Sequence, residues 1–350
     1  FFFHAEAGIR DRSPSRGLGD VYKRQLHESR SLARESSDCK SVAVKGVTMV
    51  AKNDSTGGKL SDPEKNVQAP PVLVLNPAAA RGKAGSTWLR VRDQLRSWRA
   101  TPTVIETEYS GHGTEIARSA AVAGSSLVIA AGGDGTANEV VQGLMEAEAT
   151  IADTAFAYLP LGTGCDLARG LGLPLNPAKI LHGLRKGRNI WIDVGVADIS
   201  VGGNKVRRYF LNGVTVGLGP AVALRVNHSK WLQRFGKGAY TLAALREILN
   251  AQPHQVAWRT DDGASGDTRM LQLFVNNGPS IGGGMRPSPN ASFSDGELHI
   301  VMIGALSLKT TLGQFRRLQS QRPFAHPDIC LLYTSDAADD TPCVDLGGRR

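Results

Sequence analysis

The chain has 350 residues, 41% of them hydrophobic, with 40 glycines and a formal net charge of +9. That length suits two ordinary domains or one large one, and the composition excludes disordered and fibrous classes in favour of a globular α/β protein. No run of about 18 apolar residues occurs, so no transmembrane helix is expected and a membrane role would be peripheral.

The basic charge favours phosphate-bearing partners, but the sequence carries no nucleic-acid-binding motif and no strongly basic tract. Cysteines stand at 39, 165, 330 and 343. Their spacing suits neither a zinc site nor a disulfide framework, which points to a reducing compartment. Residues 1–25 and 331–350 lack any helix or strand period. They resemble translated sequencing-adapter read-through and are set outside the fold. On that reading Met49 is a natural start, 1–70 is a tail and linker, 326–350 is a second tail, and the chain breaks off near Cys330.

From residue 71 a regular alternation begins. PVLVLNP is a buried strand closed by a turn, and Trp88, Leu89, Val91, Leu95 and Trp98 give residues 84–99 helical spacing. TPTVIET is the next strand and 112–123 the next helix. SLVIAAGGDG is a strand running into a glycine turn, TANEVVQGLM a helix, and TAFAYLPLGTG a strand and turn leading to a short helix. Strands alternating with helices predict a three-layer α/β/α domain over 71–198 with a mostly parallel sheet. From about 190, IWIDVGVADIS, VRRYFLNGVTVG, HQVAWRT, MLQLFVNNG and ELHIVMIGAL read as strands with few helices between. They predict a β-rich, antiparallel, sandwich-like second domain over 199–325, with one clear helix in 229–249.

Three glycine-rich turns fall at the carboxyl ends of the first-domain strands, where ligands of such sheets sit. In Gly132-Gly133-Asp134-Gly135-Thr136 the glycines let backbone N–H groups approach a phosphate, and the following helix aims its N-terminus at the same place. An aspartate there would repel phosphate unless Mg²⁺ or a hydroxyl proton lay between, a combination suited to phosphoryl transfer. Pro160–Arg169 repeats that logic with Gly162, Thr163, Gly164 and Asp166, although Asp166 could equally be a helix N-cap. The third loop, NPAAARGKAG from Asn76, is weaker.

Together these motifs resemble the diacylglycerol kinase catalytic family, over roughly residues 71–325. GGDGTANEV, PLGTGCDLARGLG and NPAAARG match its loops, with Cys165 in place of an asparagine and Ala80 in place of a glycine. YFLNGVTVGLG, FGKGAYTLAAL and VNNGPSIGGGMRPSPNASFSDGELHI follow its second domain. The resemblance implies transfer of the γ-phosphate of ATP to a lipid hydroxyl, with Mg²⁺. It places ATP phosphates on Gly132, Gly133, Asp134, Gly135, Thr136 and Asn138, helped by Asn76, Thr107, Gly162 and Thr163. It assigns Asp134, Asp166 and Asp193 to Mg²⁺, partly through water. Asp295-Gly296-Glu297 matches the motif that supplies the general base, with Asp295 the first choice, Glu297 the second and Asp134 a third candidate.

Gly282–Met285 and segment 217–238 would line the lipid entrance. Arg225, Lys230, Trp231, Arg234, Phe235 and Lys237 interleave cations with aromatics, as an anionic interface would want. The implied partner is a lipid at a membrane surface, with no nucleic acid and with a homodimer kept open. The implied location is cytoplasmic, peripheral at the inner membrane. Two rival readings are an NAD kinase-like enzyme, which shares the GGDGT loop, and a non-catalytic membrane-binding homologue.

Overall fold

The computed structural model describes residues 39–48, 69–98, 100–147, 154–184, 190–201, 204–222, 237–259 and 265–333. Strand β1 spans Cys39–Thr48 and β2 spans Val72–Leu75. Helix α1 (Lys83–Val91) passes into a 3₁₀ turn at Arg92–Ser97, so the single helix expected over 84–99 breaks near its middle. Then come β3 (Thr103–Glu106), α2 (His112–Val122), β4 (Leu127–Gly132), α3 (Asp134–Glu146) and β5 (Ala155–Pro160). Two short helices follow, α4 (Asp166–Gly170) and α5 (Pro177–Leu184).

Strands β2 to β5 form a four-stranded sheet in the order β3-β2-β4-β5, every pair parallel. The period of two divides each strand between two cores. Val72, Val74, Val128 and Ala130 face α2 and α3, where they meet Ile116, Ala117, Val140 and Leu144. Leu73, Leu75, Ile129 and Ala131 face the other way, onto Trp88, Val91, Leu95, Ile180 and Leu181. Being buried on both faces is what makes VLVL and LVIA read as unbroken apolar runs rather than alternating ones.

The remaining strands are β6 (Asp193–Val201), β7 (Asn204–Phe210), β8 (Gly213–Gly217), β9 (His254–Arg259), β10 (Ser265–Asn276), β11 (His299–Gly304) and β12 (Ile329–Tyr333). Helix α6 (Lys237–Leu249) lies between β8 and β9, and α7 (Leu308–Gln319) between β11 and β12. All the pairings are antiparallel: one sheet runs β1-β6-β7, the other β12-β11-β10-β8 with β9 also on β10. The parallel sheet with a β-rich second domain is therefore the observed fold.

The two ends differ from expectation. Residues 39–48, expected within the tail, pair along β6 from Cys39↔Val201 to Thr48↔Asp193. The β-branched Val42, Val44 and Val47 suit a strand, but their partner is some 150 residues away. Residues 329–333, expected in the second tail, pair along β11. Cys330 on that strand is disulfide-bonded, unlike the reading of the cysteine spacing.

The two domains share a core. Val194, Leu211 and Phe293 join the cluster under α2 and α3. The Phe293 ring is pressed so closely against Gly170 and Gly278 that a Cβ at either position would collide with it.

Candidate functional site

Strand β4 ends at Gly132 and α3 begins two residues later at Asp134. Its N-cap is Gly133, which offers no side-chain acceptor. The first N–H groups of this 13-residue helix are thus left for an external anion. A Cβ on Gly135 would meet nothing within 4 Å, so the outside of the loop is open. Its inside is tightly packed. A Cβ on Gly132 would strike the Thr136 side chain, and one on Gly162 would strike the backbone of Gly133. The two loops touch because both are glycine at the point of contact. The third loop is pinned beside them: Asn76 Nδ2 donates to Thr136 Oγ1 at 3.0 Å, and Asn76 Oδ1 accepts from Ala78 N at 3.1 Å. Thr107 follows β3, its N–H bonded to Leu75 O at 2.8 Å. Thr163 is exposed between the loops.

The three aspartates each hold a piece of backbone. Asp134 Oδ1 accepts from Leu167 N at 2.9 Å and from Asn212 Nδ2 at 3.4 Å. Asp166 is 4% exposed; its two oxygens accept from Gly283 N at 2.7 Å and Gly284 N at 2.6 Å. Asp193 Oδ2 accepts from Gly296 N at 2.8 Å. Burial, opposed by the two amide bonds and reinforced by the Asp134 charge, pushes the Asp166 carboxyl up to about 6. Oδ2 of Asp134 and Oδ2 of Asp166 lie 3.3 and 3.4 Å from the point where a Gly164 Cβ would stand. Among the described residues the three aspartates do not gather into one ligand cluster. Asp134 and Asp166 face one spot, whereas Asp193 turns toward Gly296.

The expected base lies in a turn at the head of β11. Asp295 Oδ2 accepts from Ser292 N at 3.1 Å, and Oδ1 accepts from Glu297 N at 3.0 Å. His299 Nε2 stands 3.2 Å from Oδ2. Asp295, Glu297 and His299 bring one ligand atom each within 4.8 Å of one another. A hydrogen-bonded path joins this turn to the glycine loop. Asn277 Nδ2 donates to Asp193 O and Leu211 O at 2.8 and 2.7 Å, and Asn277 N donates to Asn212 O at 2.9 Å. Asn212 in turn reaches Asp134, and Asp193 reaches Gly296.

One expected nucleotide contact is placed elsewhere. Asn138 donates from Nδ2 to Tyr209 O and accepts at Oδ1 from Leu211 N, both at 3.2 Å. Both ends of its amide bind the β7–β8 corner, so it joins the domains. Asn212, Asn277 and His299 were not singled out from the sequence. The only signal for the first two was asparagine before glycine, which also marks ordinary turns. Arg225, Lys230, Trp231, Arg234 and Phe235 lie outside the described residues, and Lys237 opens α6. No helix of the described residues is long and apolar enough to cross a membrane.

Residues 70–197 match the diacylglycerol kinase catalytic domain family, and residues 212–337 match the YegS C-terminal NAD kinase beta sandwich-like domain. The chain is 31% identical over 247 residues to a "Probable lipid kinase YegS-like" protein of Serratia proteamaculans, covering 70% of this chain and 76% of that one. It is 35% identical over 193 residues to the like-named protein of Chromohalobacter salexigens, covering 55% of this chain and 58% of the relative's length. A crystal structure of a Bacillus anthracis str. Sterne protein carrying a diacylglycerol kinase name aligns over 76% of this chain and 83% of its own, with TM-score 0.58 and 25% identity.

Proposed function

The chain belongs to the diacylglycerol kinase catalytic family, and on that footing we propose that it transfers the γ-phosphate of ATP to the hydroxyl of a lipid such as diacylglycerol. The observation that carries this reading is the path Asp134–Asn212–Asn277–Asp193–Gly296. It binds an open, anion-accepting helix N-terminus to a turn bearing two carboxylates.

Phosphoryl transfer asks the protein chiefly for position and charge. The amides at the start of α3 and around Gly132, Gly133, Gly135 and Gly162 would hold the phosphates, with Asn76 and Thr136 fixing the loop shape. The lipid oxygen forms its bond to γ-phosphorus as that phosphorus parts from the bridging oxygen, ADP leaves, and the hydroxyl proton passes to a carboxylate. Asp295 is assigned that proton, with Glu297 and Asp134 its competitors. A carboxylate within hydrogen-bond reach makes a weak alcohol nucleophile competent at neutral pH.

Mg²⁺ fits the donor set beside Gly164, where the hard oxygens of Asp134 and Asp166 face one spot. Asp193, turned toward Gly296, is outside that spot and would take part only through water. Such an ion would neutralise phosphate charge. The lipid would be met at a membrane surface by a peripheral protein on the cytoplasmic side, with no nucleic acid involved.

The test is label transfer from ATP to a panel of diacylglycerol, phosphatidylglycerol, a sphingoid base and ceramide, with NAD alongside. Asp134→Ala is expected to abolish transfer to lipid while liposome binding is unchanged. Phosphorylated NAD with no labelled lipid would overturn the lipid reading. Full activity in Asp134→Ala would overturn the mechanism.

A further inference from the structure

Of the donors around the Asp295 carboxylate, two belong to its own turn. Ser292 N reaches Oδ2 and Glu297 N reaches Oδ1, and both move whenever the turn moves. The third partner is different. His299 is the first residue of β11, its backbone in register with Asn276 of β10 on one side and Tyr333 of β12 on the other. It is 5% exposed, whereas Asp295 faces solvent. Its Nε2 stands 3.2 Å from Asp295 Oδ2. Through this contact the carboxylate is tied to the sheet as well as to its own loop.

An ionised carboxylate only accepts, with two lone pairs on each oxygen. Oδ2 accepts from Ser292 N and, when Nε2 carries the imidazole hydrogen, from His299 as well. Its capacity is then filled. Oδ1 accepts from Glu297 N and keeps a lone pair. We propose that His299 is a positioning residue for the transfer step: by donating to Oδ2 it fixes the Asp295 rotamer and leaves Oδ1 as the oxygen that takes the acceptor's proton. This rests on the reading of Asp295 as the base. His299 itself touches neither the phosphate nor the acceptor.

A loosely held base costs rate more than nucleotide affinity, because small displacements of a catalytic group can cost about 100-fold. The experiment uses the full chain with ATP and diacylglycerol in mixed micelles, and thermal unfolding confirms that each variant is folded. His299→Leu is expected to lower kcat by about 10- to 100-fold with KM for ATP unchanged within about twofold. His299→Gln keeps an N–H that can reach Oδ2 and is expected to return kcat to within about threefold of the parent. Should His299→Leu not fold, His299→Asn, whose shorter amide stops short of Oδ2, replaces it against His299→Gln. Parental kcat in His299→Leu or His299→Asn overturns the inference alone. So does a Gln variant as slow as the one it is compared with. A parent chain that phosphorylates no lipid overturns the functional reading, and this inference with it.

Discussion

In the first domain the glycine loops meet where side chains are missing: Gly162 lies against Gly133, and Gly132 against Thr136. In the second domain the turns at 282–285 and 291–297 are held by carboxylates on backbone amides, Asp166 on Gly283 and Gly284, and Asp193 on Gly296. Contact between glycines gives rigid placement that leaves only the Asp134 bond to Leu167 N to titrate there. Contact through carboxylates gives placement that depends on charge, and so on pH. Added bulk should therefore harm the first region, and removed charge should alter the second.

The largest expected effect is on the first. Gly162→Ala drives a Cβ into the Gly133 backbone, which has no rotamer to yield. The two loops must part, and kcat/KM for ATP should fall by about 100-fold or more. Activity within about threefold of the parent would show that the loop contact is not what places the phosphates.

The second effect is on pH. The Asp166 carboxyl is raised from 3.8 to about 6 by burial first. The folded state then holds more protons than the unfolded state between those values, so stability falls as pH rises through that window. The contribution is fully present below about pH 4 and lost above about pH 6, an amount on the order of 2–3 kcal/mol. Denaturant unfolding at stepped pH should show this decline in the parent and not in Asp166→Asn. Parallel curves for the two would remove Asp166 as the pH-sensitive latch.

The smallest effect sharpens the first region. Ala80 has φ 50, in the left-handed region, where its family resemblance expects glycine. Ala80→Gly should stabilise the chain by about 1 kcal/mol, read as a higher unfolding midpoint. A lower midpoint would mean that the Ala80 methyl packs better than its backbone is strained. Cys165, at φ 51, is the parallel case. Asparagine tolerates that conformation better than most residues, which gives a physical reason for its place in the family pattern.

This contrast also explains what the sequence could show. GGDGT and PLGTG were legible because their geometry is local: a strand, a glycine turn and a helix N-terminus within ten residues. The parallel sheet was legible because burial on both faces leaves unbroken apolar runs. The path from Asp134 to Gly296 was not, because three of its four links join residues 78, 84 and 103 positions apart. Asn138 was read with the loop it follows. One helical turn beyond Asp134, it reaches Tyr209 and Leu211 instead, and nothing in TANEV announces those partners. β1 and β12 were hidden for the same reason, since their strand partners lie far off or beside segments without visible period.

Phe293 carries a consequence for how the molecule comes apart. It arrives from the second domain, yet its ring fills the first domain's core beside Leu167, Ala168 and Val194. A fragment ending at the boundary near 198 would lack that ring and leave an apolar hole beneath α4. Deleting a buried aromatic side chain typically costs about 3–5 kcal/mol, a large share of the stability of an ordinary domain. The two domains should therefore melt in a single transition, and the β-rich half should act as a folding partner of the parallel-sheet half.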